Sequence, residues 1–538
     1  MSRFKPADLA LKNGSVWTVD GRSPLAEAIA IRGNEILAVG SAAEIEAATG
    51  PQTRVIDLAG RLVLPGFNDA HTHFVEFAAR AAMMVDLYGV TSLEALQQRV
   101  REHAAAHPAA AWLLGTRWFP SRFEGGAWPS RLELDAVESQ RPLAILDVDH
   151  HSCWVNSRAL QELGYSAQTP DPPGGRLLRD DHGEPTGILF ENAYAPIPLD
   201  ANTSDNEFAR LFVQEVAKAN RLGLTSLSNH GTKPERLEIL ERMAQRGELT
   251  LRINEWQDLS SDLESARELR QRFSGNEKLR MASLKGFMDG VLSSHTAWML
   301  EPYADAPGET GLAVVDPEEL SAWVIEADRQ GFQVVIHAVG DQAVRKCLNI
   351  YEQAAKIEAR ERRHRVEHVE VVHPQDQERF ASLGVIASMM PLHCTADLEG
   401  YIKSRLGEPR GAHGYPWRDF IDRGVHLCFG TDWPAVDLLQ PDPLQQIYAA
   451  VTRTPAQAQG GPAWHGEQRL TAAEAIRCYT LEAAYAERME QRKGSLTPGK
   501  LADLCVLSRD ILKCEPAEIL ETEVLMTVFE GEVVYRNF

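Results

Sequence analysis

The chain has 538 residues, 76 acidic against 55 basic side chains, and a formal net charge of −21 at pH 7. Such a surface repels phosphate backbones and anionic lipid, which argues against nucleic acid or membrane as a partner. With 44% hydrophobic and 24% charged residues, the composition is that of a large folded protein and excludes disordered, collagen-like and small disulfide-scaffold classes.

The seven cysteines are scattered and form no C-x-x-C, as expected of reduced thiols in a cytoplasmic protein. No apolar signal-peptide core follows Met1, and no charge-free run of about 18 apolar residues could span a bilayer. The expectation is a soluble, cytoplasmic protein acting on a small molecule.

Residues 7–66 read as short strands between turns. Asp8–Lys12 meets Asn13-Gly14, Ser15–Val19 meets Asp20-Gly21, and Ala28–Ile31 meets Arg32-Gly33-Asn34, before Ile36–Gly40 and Val55–Leu58. Asn-Gly and Asp-Gly favour the positive backbone angles of tight hairpins, so this segment is expected to be an antiparallel meander. The chain end looks alike, with Ala502–Leu507, Val524–Phe529, then Glu530-Gly531 and Val533–Tyr535.

Between the ends, apolar strand-like runs alternate with amphipathic helical stretches such as Asn206–Leu222, Glu319–Gln330 and Pro374–Leu383. The strand candidates are Leu64–His73, Leu224–Asn229, Leu249–Trp256, Met281–Asp289, Gln333–His337, Arg365–His368, Val385–Met389 and Val425–Thr431. Buried parallel strands need near-continuous apolar runs and helical crossovers. Eight such units predict an α/β fold, a closed TIM-like (β/α)8 barrel. The long stretch between the first two candidates exceeds a plain crossover and is an inserted subdomain at about 75–220. It holds Trp112, Trp118, Trp128 and Trp154. The expected organisation is a barrel over 65–487 and a small β-sandwich built from 1–64 and 488–538.

The sharpest chemical signal is His71-Thr72-His73 at the end of the first strand, where i and i+2 project to one side and two imidazoles can reach one metal. His337, His368 and Asp432 end or follow the fifth, sixth and eighth strands. Taken singly, Asp432 also reads as a helix cap and His368 as a satisfied core histidine. In a parallel barrel, however, all these strand ends converge on the face that carries active sites. Nitrogen and oxygen donors without thiolates suit Zn²⁺, with Mn²⁺, Fe²⁺, Co²⁺ or Ni²⁺ as alternatives. Lys285, on the fourth strand, reads either as a salt-bridge partner of Asp289 or of a substrate carboxylate, or as a carbamate that donates oxygen to metal.

Pro65-Gly66-Phe67-Asn68-Asp69-Ala70-His71-Thr72-His73 resembles the opening signature of the amidohydrolase superfamily, whose ligand order is H-x-H, Lys, His, His and Asp on strands one, four, five, six and eight. Asp149–Leu160, Asp289-Gly290, Thr296-Ala297, His337–Asp341 and Gly430–Pro434 are similar to the YtcJ-like branch, which includes N-substituted formamide deformylases, and the two end segments resemble the superfamily's composite sandwich, down to Gly494–Leu504. The likeness spans nearly the whole chain. It departs from that branch at Val291–His295.

The resemblance implies a metal-dependent hydrolase of a non-peptide C–N bond, amide or N-formyl in type, that works through metal-activated hydroxide. Asp432 is the implied general base, with His368 beside the developing oxyanion. One or two divalent ions are implied, with His71, His73 and Asp432 on one, His337 and His368 on the other, and carbamylated Lys285 between them. Alternatives are cyclic-amide hydrolysis, deamination or ester hydrolysis on the same machinery, or a binding relative that has lost catalysis. The aromatic insertion is expected over the barrel mouth, with His151, Trp154, Asn156, Glu191, His230, Asp289 and His295 as substrate-contact candidates. Glu76 and Glu367 are expected to orient an imidazole. Relatives are often dimers, so a homodimer is implied.

Overall fold

The computed structural model describes residues 5–80, 83–119, 128–199, 203–395, 402–435, 438 and 440–538. At its centre stand eight parallel strands: β1 (Phe67–Thr72), β2 (Leu224–His230), β3 (Arg252–Asp258), β4 (Leu279–Phe287), β5 (Gln333–Ala338), β6 (Arg365–His368), β7 (Ile386–Met389) and β8 (Leu427–Phe429). Each is hydrogen-bonded to the next in chain order. The ring closes just beyond the ends of β8 and β1, where the Asp432 amide donates to His71 O at 2.8 Å and the His73 amide to Trp433 O at 2.9 Å. Gly430 permits this approach, because a Cβ there would stand 2.6 Å from the His71 nitrogen. All eight strands expected from the apolar runs are present.

Alternation along β5 shows why the sequence builds a barrel here. Val334 and Ile336 join the main apolar core together with Leu320 and Val324 of the helix Pro317–Arg329. Residues 333, 335 and 337 point the other way, toward the barrel axis. Each aliphatic side chain so buried favours the fold by about 1.5–3 kcal/mol. The helix starts sharply, because Asp316 accepts from the Glu318 and Glu319 amides at 3.0 and 3.1 Å and Pro317 occupies the first turn.

Both chain ends build the β-sandwich. One sheet runs Glu35–Gly40, Ala28–Arg32, Leu9–Lys12, Arg54–Asp57, and the other runs Glu532–Arg536, Val524–Phe529, Leu504–Leu507, Leu62–Pro65, Ser15–Trp17, Leu25–Ala26. Leu9, Leu11, Val16 and Ile29 share one core with Leu504, Val506, Met526 and Val528. The expectation of a simple meander needs correction. Leu9–Lys12 and Ser15–Trp17 lie in different sheets, so Asn13-Gly14 carries the chain from one layer to the other instead of closing a hairpin. Leu9–Lys12 also pairs in parallel with Arg54–Asp57. The Arg32–Glu35 turn does close a hairpin.

After β1 the insertion forms its own six-stranded sheet, in the order Gly175–Arg179, Pro185–Glu191, Ser152–Val155, Leu143–Asp147, Leu113–Trp118, Val85–Asp86. It has apolar clusters on both faces. Arg117 ties it to the barrel's last loop, donating to Leu438 O at 3.1 Å while paired with Asp86. All seven cysteines are free thiols. Among the described residues, no helix is long and apolar enough to cross a membrane.

Candidate metal centre

His71 and His73 leave β1 on the same side, with ring centroids 5.6 Å apart. His71 Nε2 lies 3.5 Å and His73 Nε2 3.4 Å from Asp432 Oδ1. One donor atom from each of these three groups lies within 4.8 Å of the other two. His71 is fixed from behind, its Nδ1–H donating to Glu367 Oε2 at 2.6 Å. Glu367 is itself held by Arg365 at 2.8 Å. Arg365 also donates to Ala70 O and Ser388 Oγ, each at 2.8 Å, and lies over the Trp256 ring at 4.7 Å. The carboxylate fixes the tautomer, leaving His71 Nε2 free of its proton and turned toward Asp432.

The other predicted ligand residues reach the same mouth. Lys285 Nζ stands 3.3 Å from His71 Nε2. The His368 ring is 5.1 Å from that of His71 and 4.3 Å from that of His337. His337 Nε2 donates to Gly290 O at 3.0 Å. His368, Val369 and Asp432 have φ of 71°, 52° and 59°, a left-handed conformation that costs about 1–3 kcal/mol per residue and clusters at working sites.

Burial, with Lys285 and the neighbouring histidines, holds the His71 imidazole well below its ordinary range. Burial does the same to His337 and His368, reinforced by surrounding cationic groups. It also lowers the Lys285 ammonium to about 8, against the pull of Glu367 and Asp432. At Asp432 burial opposes the charge, yet the hydrogen bond and charge of His73, with His393 and Lys285, keep the carboxyl below the ordinary aspartate value. Imidazoles that burial holds neutral at His71, His337 and His368, beside a carboxyl that favours its ionised form, are donor types a divalent cation requires, so the residues present fit such an ion.

Above this group opens a cavity of about 360 Å³. Barrel residues form its floor, while Leu146, Asp149, His150, His151, Glu191 and Tyr194 of the insertion form much of its wall. His151 donates from Nδ1 to Glu191 Oε2 at 2.8 Å. Burial disfavours its charge, but Glu191 outweighs this and raises the imidazole to about 9. His230 also lines the cavity, paired with Asp258 at 2.8 Å.

The structure places four of the substrate-contact candidates outside the cavity lining. Trp154 is fully buried in the insertion's own core, 5.2 Å from Trp118, with Nε1 donating to Ser130 O at 2.9 Å. Asn156 caps the helix Ser157–Leu163, accepting from the Ala159 amide at 2.8 Å. Asp289 accepts from the Trp298, Val339 and Gly340 amides at 2.7, 3.0 and 2.9 Å and so ties two barrel loops together. His295 pairs with Asp305 at 3.1 Å, away from the cavity lining. Glu367 does orient an imidazole, but Glu76 instead accepts from the Lys233 amide at 3.0 Å and pairs with Arg236.

The sequence reading missed His393, Glu370 and His150. His393 follows β7 within a few residues, so the rule that exposed the other strand-end histidines applies to it too. His150 directly precedes His151 and also lines the cavity.

The sequence profile of the amidohydrolase family matches residues 54–535. The YtcJ protein of Bacillus subtilis (strain 168) is 30% identical, over 97% of this chain and 98% of its own length. N-substituted formamide deformylase of Arthrobacter pascens is 27% identical over 98% of both chains. Among solved structures, an uncharacterized metal-dependent hydrolase from Pyrococcus horikoshii OT3 superposes with a TM-score of 0.74 at 26% identity, covering 94% of this chain and 99% of that one.

Proposed function

Since the chain belongs to the amidohydrolase family and is a metal-dependent hydrolase in kind, we propose that it cleaves a non-peptide C–N bond of amide or N-formyl type. The observation that carries this reading is the gathering of His71, His73 and Asp432 donor atoms within 4.8 Å, with His73 and Asp432 lining a cavity whose wall the insertion helps to form. Full-length similarity to a formamide deformylase supports the bond type.

His71, His73 and Asp432 would hold a divalent ion, Zn²⁺ by donor type, with Lys285, His337 and His368 beside it. Such an ion supplies Lewis acidity and lowers the pKa of water from 15.7 to about 7. Asp432 is ionised and faces the cavity, so it can take a proton from the attacking water. It then returns that proton to the leaving nitrogen as the C–N bond breaks, which leaves a carboxylic acid (formic acid from an N-formyl substrate) and an amine. His151, kept cationic by Glu191, is placed in the wall to hold the substrate carbonyl oxygen through Nε2–H. A lysine amine lowered to about 8 carries a larger neutral fraction at pH 7 than an ordinary lysine, which favours its carbamylation by CO₂.

The test is hydrolysis of a panel of N-formyl amines and simple amides by metal-reconstituted protein. Asp432→Asn is expected to lower turnover by about 10²–10⁴-fold. Full activity in that variant at equal metal content would remove Asp432 from its role. No turnover by the loaded wild type on any C–N substrate would sink the bond assignment.

A further inference from the structure

At the end of the barrel away from the mouth opens a further cavity, of about 250 Å³. Arg270 and Ser274 line it from the close of the helix Glu264–Arg272, Arg280 from the start of β4, and Arg488 from the segment after the helix Leu481–Ala486. Arg280 stands five residues before Lys285 on the same strand, about 17 Å at roughly 3.3 Å per residue. The cavity and the metal centre are therefore separate places.

In a chain of net charge −21 carboxylates outnumber cations, and the neighbouring Arg272 and Arg363 have Glu241 at 2.6 Å and Glu490 at 3.0 Å. The three lining arginines have none within ion-pair distance among the described residues. They give hydrogen bonds only to backbone carbonyls: Arg270 to Gln330 O at 3.1 Å, Arg280 to Glu487 O at 3.0 Å, and Arg488 to Glu361 O at 3.4 Å and Arg362 O. Each does so through one terminal nitrogen, which leaves Nε and the other Nη of a five-donor guanidinium for another partner. The one carboxylate among the described lining residues, Glu487, is taken by Lys493 at 2.7 Å and Ser228 Oγ at 3.3 Å. Burial, with Arg267 beside Arg270 and Arg363 beside Arg488, holds both guanidiniums below the ordinary arginine value, as expected of positive charge short of a counter-charge.

We propose that this cavity binds a small, multiply charged oxyanion, a phosphate or a dicarboxylate, through the remaining N–H groups of Arg270, Arg280 and Arg488 and the Ser274 hydroxyl. A guanidinium presents its donors as a planar fork that fits either oxyanion. Three like charges held around one cavity repel each other, and an anion among them turns that repulsion into attraction. Were the arginines only struts for backbone carbonyls, their loss would change stability and no anion would bind. The site lies apart from the metal centre, so the inference stands independently of the hydrolase reading.

The experiment titrates the full-length protein, as purified, with inorganic phosphate and with succinate by calorimetry at fixed ionic strength, with chloride as the blank. At least one of the two should bind saturably at one anion per chain, and the tighter of them identifies the oxyanion class. Arg280→Gln and Arg488→Gln should each weaken that binding about 10–100-fold, as expected on losing a charge-assisted hydrogen bond. The rise in melting temperature caused by the anion should shrink with it. Arg267→Gln, which removes an exposed cation of the same helix outside the cavity lining, and His151→Gln at the mouth should bind as wild type does. Arg488 is exposed, so its variant carries the test alone if Arg280→Gln fails to fold. Absence of saturable binding by either anion would overturn the inference, as would unchanged affinity in either folded arginine variant. So would an equal loss in Arg267→Gln, or a loss in His151→Gln. None of those outcomes touches the hydrolase reading, which fails separately through absence of turnover.

Discussion

His71 owes its aim to a buried chain of contacts, from Ser388 and Ala70 O through Arg365 to Glu367. Glu367→Gln keeps the volume but removes the charge, leaving the Arg365 guanidinium uncompensated in the barrel interior. Loss of one partner from a buried pair costs about 3–5 kcal/mol, and loss of the carboxylate behind a ligating imidazole costs about 10–100-fold in metal affinity. Both should appear together, the first in denaturant unfolding of metal-free protein and the second in metal titration. At this scale the strand-end residues were legible, because the pattern of an apolar run followed by a polar residue places a side chain on the catalytic face whatever the loops do. Residues of the insertion were not. Trp154 sits on a strand buried on both faces, between Trp118 on one side and the cluster holding Cys153 and Val155 on the other, and composition alone does not say which tryptophan faces a cavity. Asn156 had a local signal pointing the other way, since Asn before a helix-forming stretch is a common cap.

Among the elements, the junction of β8 and β1 is the tightest. Gly430→Ala would press a methyl group onto His71, and overpacking of this kind costs about 1–3 kcal/mol. The expected result is a lower melting temperature together with weaker metal binding, because the displaced strand carries the histidines. The helix Ala472–Cys478 offers a pH-dependent prediction. Glu474 receives the Thr471 amide and hydroxyl, both at 2.8 Å, and the Arg418 guanidinium at 2.9 and 2.6 Å. The hydrogen bond from Arg418 leads the causes that lower its carboxyl to about 2 from an ordinary 4.5, with burial opposing. A depressed carboxyl stabilises the fold above about pH 4.5, and that contribution is lost as pH falls toward 2. Glu474→Gln should therefore cost about 1 kcal/mol at neutral pH, and the gap to wild type in urea unfolding should narrow below pH 4.5. The barrel strands were legible because burial on both faces demands continuous apolar runs. The layer switch at Asn13-Gly14 was not, because the same dipeptide serves a hairpin or a crossover and only the partner strands decide between them.

Over the whole molecule, the foot of the barrel is fastened to the sandwich by ions. Arg252 of β3 donates to Asp503 at 2.7 and 3.3 Å and to Glu530 at 3.2 Å, and it lies over the Phe529 ring at 4.8 Å. Asp503→Ala should destabilise the protein by about 3–5 kcal/mol, read from its denaturant midpoint. Metal affinity in the fraction that remains folded should be unaffected, since the centre lies at the other end of the strands.

Leu62–Pro65 lies between Ser15–Trp17 and Leu504–Leu507, and only Gly66 separates it from β1. The contact from Cys505 back to Pro65 joins positions 440 apart. At about 5–20 residues per second of translation, that nascent strand edge waits roughly 20–90 s for its neighbour to leave the ribosome. The strand that leads into the histidine-bearing segment thus gains this sandwich neighbour only after the barrel residues between them have been made, whereas β1 itself can pair with β2 much earlier.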